Sequence, residues 1–343
     1  MKRIKLAMLV APLFAGGMMF AAAASAADLH NWKLPEPNIP ADNPQTNAKI
    51  ALGHQLVFDT RLSKNNNSIS CSGCHVATTG GAGLTPRAFG HGGELGRWAP
   101  SWVNSAYYDS LFWDGRASSL EEQTGLLPGH MGPISAPGEM GGDVATVVKK
   151  INSIPGYQKQ FKAVFGGKAT RENIAKAIAA FERTLIAYKA PFQRYVNGDK
   201  HAISASAKRG FELFRGKAQC VACHTPPTLT DNSFHNIGVP QVGPLKKDEG
   251  RYAVTKDKAD MGAFKTPSLY NAASFVFFMH DGAFSTLEEV VDHYNKGGNP
   301  NDPNQSPIIE PLNLSDQEKK DLVAFMKSLT DTSLDNIQRP ELP

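Results

Sequence analysis

Apolar and polar positions along this chain recur with the period of helices and seldom with that of strands. The stripe Ile50, Ala51, Leu52, Leu56, Val57 and Phe58 predicts a short helix, and a weaker echo of it recurs at Gly210, Phe211, Leu213 and Phe214. Ile174, Ile178, Phe181 and Leu185 stand at helical spacing within Arg171 to Tyr188, which predicts one unbroken helix. Near the far end, Ser315-Asp316-Gln317-Glu318 has the form of a capping box. Leu322, Val323, Met326 and Leu329 follow on one face. Pro35, Pro37, Pro40 and Pro44 exclude a regular helix from 28–47, which reads as an extended arm. The expected fold class is therefore all-α, with long Gly/Pro-rich loops.

The longest apolar run, Leu6 to about Ala24, follows Lys2, Arg3 and Lys5 and ends at the small-residue site Ala24-Ser25-Ala26. That pattern predicts a secretory leader over 1–27, cleaved near Ala26 or Ala27, and a periplasmic mature chain. No later stretch approaches the roughly 20 continuous apolar residues that span a bilayer. The whole chain has 36 Lys+Arg against 32 Asp+Glu. Losing the three leader cations leaves the two signs almost balanced, so the composition gives no support to nucleic-acid binding. The remaining length suits two domains, expected at 48–196 and 197–343, with Asn197-Gly198-Asp199-Lys200 between them.

All four cysteines fall in two motifs, Cys71-Ser72-Gly73-Cys74-His75 and Cys220-Val221-Ala222-Cys223-His224. An even cysteine count in an exported chain would ordinarily indicate disulfides, but here no cysteine is left over for one. CxxCH is the attachment signal of c-type haem: two thioethers fix the macrocycle and the adjacent histidine supplies an axial nitrogen. Two haem c groups are expected, on an internally duplicated unit whose motifs lie 149 residues apart. What occupies the opposite face of each iron then decides between electron carrier and peroxide site.

Further pieces carry a resemblance. Leu52-Gly53 with Leu56, Asp59 with Arg61-Leu62-Ser63, Phe112-Trp113-Asp114-Gly115-Arg116-Ala117 with Leu120 and Gln123, and Pro267-Ser268-Leu269 before His280-Asp281-Gly282 resemble the bacterial dihaem cytochrome c peroxidase and MauG superfamily. The resemblance runs from about residue 48 to 330 and implies two cytochrome c-like domains, each with one haem c. It makes the N-terminal haem the peroxide site and the C-terminal haem the store of an oxidising equivalent. His75 and His224 become the proximal ligands, Trp113 the aromatic residue between the haems, Glu139 the acid/base and Gln123 a distal amide. His91 matches the labile distal histidine of typical members. Read alone, Glu139 is a solvated carboxylate in a Gly-rich loop, His91 a surface histidine and Trp113 a core residue.

At the second haem, Tyr294 stands where typical peroxidases place methionine, and MauG-type members carry tyrosine there. A phenolate favours Fe(III) and higher oxidation states, whereas a thioether favours Fe(II). The resemblance thus implies two haems that share the oxidising equivalents, with both irons reaching Fe(IV). Leu287, Val290, Val291 and Tyr294 also form a helical stripe, so Tyr294 reads equally as core, and His293, Met279 and Met261 are rival ligands. Members often bind Ca2+ through an asparagine ahead of a Pro-Ser/Thr pair, but here Trp98 precedes Pro100-Ser101, so no calcium ligand is assigned. The implied partners are hydrogen peroxide and an electron donor, either a small periplasmic cytochrome or a protein substrate, with a homodimer by analogy. The alternatives are a dihaem electron-transfer protein without peroxidase activity and a MauG-like oxidase that modifies a partner protein.

Overall fold

The computed structural model describes residues 29–64 and 68–343, and the expected leader lies outside them. In the first half come α1 (Asn47–Phe58), α2 (Cys71–Cys74), α3 (Leu120–Gln123), α4 (Val144–Asn152), α5 (Pro155–Phe165) and α6 (Arg171–Glu182). The second half follows with α7 (Pro191–Val196), α8 (Ala205–Arg215), α9 (Tyr252–Thr255), α10 (Leu287–Asn295) and α11 (Asp316–Lys327). Among the described residues, sheet is confined to two antiparallel pairs of two-residue strands, β1 (Phe89–Gly90) with β2 (Gly93–Glu94) and β3 (Phe234–His235) with β4 (Phe264–Lys265). The fold is helix-dominated, as the periodicity predicts. Among the described residues, no helix is long and apolar enough to cross a membrane.

Each half is built on a crossing of two helices. Thr46 caps α1 by accepting from the Lys49 backbone N–H, and Ser315 and Glu318 form the expected capping box at the start of α11. Gly53 of α1 meets α6 so closely that a Cβ there would lie 1.9 Å from the Ala177 carbonyl oxygen. Gly210 of α8 meets α11 in the same way, 1.9 Å from the Asp321 carbonyl oxygen. The two crossings are one packing device used twice.

Helix α6 ends at Glu182, short of the Tyr188 that its spacing predicts. The next backbone groups are taken elsewhere: Leu185 O accepts from Asn104 N, and Ala187 N donates to Asn104 Oδ1. A non-local asparagine thus outbids the helical ladder, while Leu185 still buries its side chain.

The duplication extends beyond the haem motifs at a different spacing. Asn104 and Asn271 (φ 61° and 62°), Phe112 and Met279 (68° and 70°), and Gly115 and Gly282 (68° and 70°) adopt matching left-handed conformations 167 residues apart. Matching bridges, Leu111–Ala117 and Phe278–Phe284, close the same turn. The second half therefore carries the longer connection between its CxxCH motif and this turn. The halves share one continuous apolar core. Phe192 of α7 packs on Phe211 and Phe325, and the arm sets Trp32 edge-on against Phe192, Phe211 and Phe214. Gln193 fastens the arm from both sides, accepting from Leu34 N and donating to Trp32 O.

Candidate functional site

Both CxxCH segments coil into a single turn, with His75 N bonded to Cys71 O at 2.8 Å and His224 N to Cys220 O at 2.9 Å. His75 Nδ1 lies 3.2 Å from Gly81 O, and His224 Nδ1 lies 3.0 Å from Leu229 O. A carbonyl can only accept, so each Nδ1 carries the proton and each Nε2 keeps its lone pair. Burial lowers both imidazole pKa values, which keeps the rings neutral. Trp102 stacks on His75, with centroids 5.7 Å apart at 16°. A carbonyl-oriented neutral imidazole is what an axial iron ligand requires.

In the second half Cys220, Cys223, His224, Met261, Met279 and Tyr294 line one cavity of about 490 Å³. Its remaining wall is largely apolar, with Phe278, Leu287, Val290 and Val291. Two thiols, an oriented imidazole and an apolar slot fit a covalently attached haem c. Tyr294 comes from the last turn of α10, whose Thr286/Glu289 capping box was not read from the sequence. His293, one residue earlier, bonds Ile237 O through Nε2 at 2.8 Å and is absent from the cavity wall. Of the rival ligands, the methionines face the cavity and His293 is turned to backbone.

In the first half Cys71 is half-buried, and desolvation pushes its thiol up to about 12, with further electrostatic contributions from Glu182, Cys74 and Glu139. The same Glu139 acts on Cys74. Both carboxyl groups therefore lie near the attachment cysteines. Glu139 sits in the loop between α3 and α4, 3.9 Å from Arg116 Nη2, and burial raises its pKa against the pull of that cation. The β1–β2 hairpin is tied to this loop by His91 N to Glu139 O and Gly92 N to Gly138 O, both 2.9 Å. His91 Nε2 is buried without a hydrogen-bond partner, so the bland reading of a solvated histidine does not describe it. Gln123 Nε2 donates to both oxygens of Glu182, at 3.1 and 3.2 Å.

Glu182 was missed by sequence reasoning, because Phe181-Glu182-Arg183 reads as the turn of an amphipathic helix. Burial raises its carboxyl to about 8. Only the contact with Gln123, 59 residues away, marks it out.

Trp113 lies where the halves meet, clustered with Ala82 and Trp98 and packed against Phe264 and Phe275. Its indole donates to Trp98 O at 3.0 Å, and Trp98 N donates to His280 O at 2.8 Å. The Trp98 indole donates to Gly83 O, so this side chain offers a cation no oxygen. Among the described residues, Cys223, Asp231 and His235 form a cluster with metal-like spacing, but Cys223 is one of the haem-attachment thiols.

Residues 47–201 match the family model of di-haem cytochrome c peroxidase, and 207–330 match that of cytochrome c. A cytochrome-c peroxidase, IdrP1, of Pseudomonas sp. (strain SCT) is 38% identical, the match covering 96% of this chain and 93% of the relative. The chain belongs to the dihaem cytochrome c peroxidase and MauG family. The methylamine utilization protein MauG of Methylorubrum extorquens is 42% identical over 84% of this chain and 80% of its own length. A solved MauG-like protein associated with microbial copper homeostasis superposes with a TM-score of 0.81 at 31% identity, covering 90% of this chain and 97% of that one. Membership makes this dihaem protein an oxidoreductase with two cytochrome c-like units and two covalently bound haem c groups.

Proposed function

We propose that the chain is a periplasmic dihaem peroxidase that reduces H2O2 at the N-terminal haem, while the C-terminal haem stores the second oxidising equivalent. Cys71 and Cys74 would hold the first haem and Cys220 and Cys223 the second, and His75 and His224 would each offer the iron a neutral imidazole nitrogen. The observation that supports the reading is the contrast between the halves: half-buried Glu139 acts on the first attachment cysteines, with His91 tied to its loop and Gln123 bonded to Glu182, while Tyr294 stands on the wall of a largely apolar cavity beside the second motif. The haem supplies the electron transfer. Reduction of H2O2 to two waters takes two electrons and two protons, so the chain's own task is to move protons. The Glu139 carboxylate takes the proton of the inner peroxide oxygen and returns it to the outer one, which leaves as water. A positioned carboxylate contributes about 10²–10⁴-fold to such a step. Arg116 beside Glu139 opposes the rise in its pKa that burial causes. Trp113, clustered with residues of both halves, relays the equivalent between the haems. His91, whose Nε2 has no partner and whose hairpin is tied to the Glu139 loop, is the residue that would hold the first iron in the resting state and would have to swing away to admit peroxide.

Stopped-flow mixing with H2O2 tests this reading, on the diferric protein and separately on the reduced one. A haem absorption change in either supports it. Unchanged spectra in both would leave an electron-transfer cytochrome. A second reading, oxidation of a partner protein in the manner of MauG, is favoured by Tyr294 on the cavity wall. Turnover with reduced cytochrome c as the only donor separates the two, because the MauG-like enzyme shows little activity there.

A further inference from the structure

Glu182 closes α6 in a position that is costly for a carboxyl group. It is 7% exposed, and it ends the buried face of its own helix, which otherwise consists of alanines, Ile174, Ile178 and Phe181. The neighbouring cation makes no hydrogen bond to it: Arg183 donates to Glu121 through two bonds of 2.8 Å and reaches Glu182 only through space. The donor that Glu182 does have is the Gln123 amide, whose nitrogen lies within 3.2 Å of both carboxyl oxygens. A buried carboxyl without a cation is destabilising unless it is hydrogen-bonded, and an apolar side chain would serve packing better. Its placement therefore answers to the amide and not to the core.

A side-chain amide has a donor end and an acceptor end, and a neighbour that can accept decides which end turns away. We propose that Glu182 is a positioning residue that holds the Gln123 nitrogen, so that the amide oxygen is the end presented to the distal face of the N-terminal haem. The bond does not require a charge, because the carbonyl oxygen of the neutral acid accepts as the carboxylate does. Held this way, Gln123 accepts the O–H of a bound peroxide and orients its proton. It does not donate to a developing anion, and that task is left to other groups. The inference rests on the peroxidase reading for the identity of the ligand, while the orientation of the amide stands on Glu182 alone.

Fluoride binding at the N-terminal haem of the ferric holoprotein reads the orientation directly, with every variant made in a His91→Ala background so that His91 does not compete for the same position. Fluoride only accepts hydrogen bonds and is not turned over, so the readout is independent of peroxidase activity. In Glu182→Met nothing holds the nitrogen, the amide turns its N–H to the anion, and fluoride affinity rises about tenfold, the equivalent of one hydrogen bond to a charged group. Glu182→Gln still accepts from Gln123 and stays within about twofold of the His91→Ala parent, a rescue that a packing role would not produce. A Glu182→Met protein that retains two haems per chain with unchanged fluoride affinity would overturn the proposal. So would a Glu182→Gln shift as large as that of Glu182→Met. If Glu182→Met does not retain both haems, Gln123→Leu decides. Loss of an amide that presents oxygen does not weaken fluoride, and a tenfold weakening would show that the nitrogen faces the ligand. Absence of a stopped-flow reaction with H2O2 would remove the peroxidase reading and leave the fluoride result standing.

Discussion

Helices α3 and α10 begin alike and end differently. Ser118 N donates to Glu122 Oε2 at 2.8 Å in the first, and Ser285 N to Glu289 Oε2 at 2.7 Å in the second. Ser119 and Thr286 then cap the same two turns through Glu122 N and Glu289 N. After one turn they part. Gly125 takes φ +75°, and a Cβ there would lie 2.5 Å from Gly132 N, so the chain folds back into the loop that bears Glu139. The second helix runs on to Asn295 and sets Tyr294 on the cavity wall. One cap, copied, gives a loop with an acid in one half and a helix with a phenol in the other. Under the proposed function, the choice made after the first turn separates a reactive haem from a storage haem.

Glu139→Gln breaks the comparison on the reactive side and has the largest expected effect. Both haems are retained, and the stopped-flow rate with H2O2 falls by about 10²–10⁴. In the wild type, burial raises the Glu139 pKa, so the carboxylate that accepts the proton is lost as pH falls through a value above the ordinary glutamate range. The same rate, followed from pH 8 downward, therefore declines earlier than for an unperturbed glutamate.

Tyr294→Met breaks it on the storage side. A thioether in place of a phenolate raises the potential of the second haem and introduces a thioether-to-ferric-iron absorption band, checked by redox titration and ferric spectra. An unchanged potential would return Tyr294 to the core. Gly53→Ala and Gly210→Ala sharpen the likeness of the halves. Each forces a methyl onto a carbonyl 1.9 Å away, and thermal unfolding is expected to show a loss of about 1–3 kcal/mol for each.

The last effect is in the pH dependence of stability. Glu182 rises to about 8 in the folded protein, chiefly by burial, with the Gln123 bond and Arg183 opposing and Glu121 reinforcing. The folded state then holds the proton more tightly than the unfolded one. The contribution of Glu182 is complete below its unfolded pKa and is lost as pH rises through about 8. Wild-type Tm should therefore fall relative to Glu182→Gln between pH 5 and 8, by about 2–4 °C for each kcal/mol involved.

The chemistry was legible where it is local in the chain. CxxCH is a contiguous code, and the Ser315–Glu318 capping box closes within one turn, so both could be read from letters alone. The stripe ending at Tyr294 was legible as a helix, but whether it faced core or cavity depended on the packing of α10. What escaped depends on contacts distant in sequence. Asn104 stops α6 by capturing backbone at 185–187. The β1–β2 hairpin meets Glu139 through backbone atoms, which no side-chain pattern encodes. Glu182 is an ordinary helix-end glutamate until Gln123 reaches it. Gly53 and Gly210 were visible as letters, while their common role appears only when Ala177 and Asp321 lie against them.

The shared apolar core carries a mechanical consequence. Trp32, Phe192, Phe211 and Phe325 interlock residues from the arm, α7, α8 and α11, so sliding one half as a rigid body would tear a continuous apolar interior. Electron tunnelling slows steeply with the gap it must cross. Under the proposed function, a molecule built this way keeps that gap constant, so the traffic between its two redox centres is set at folding.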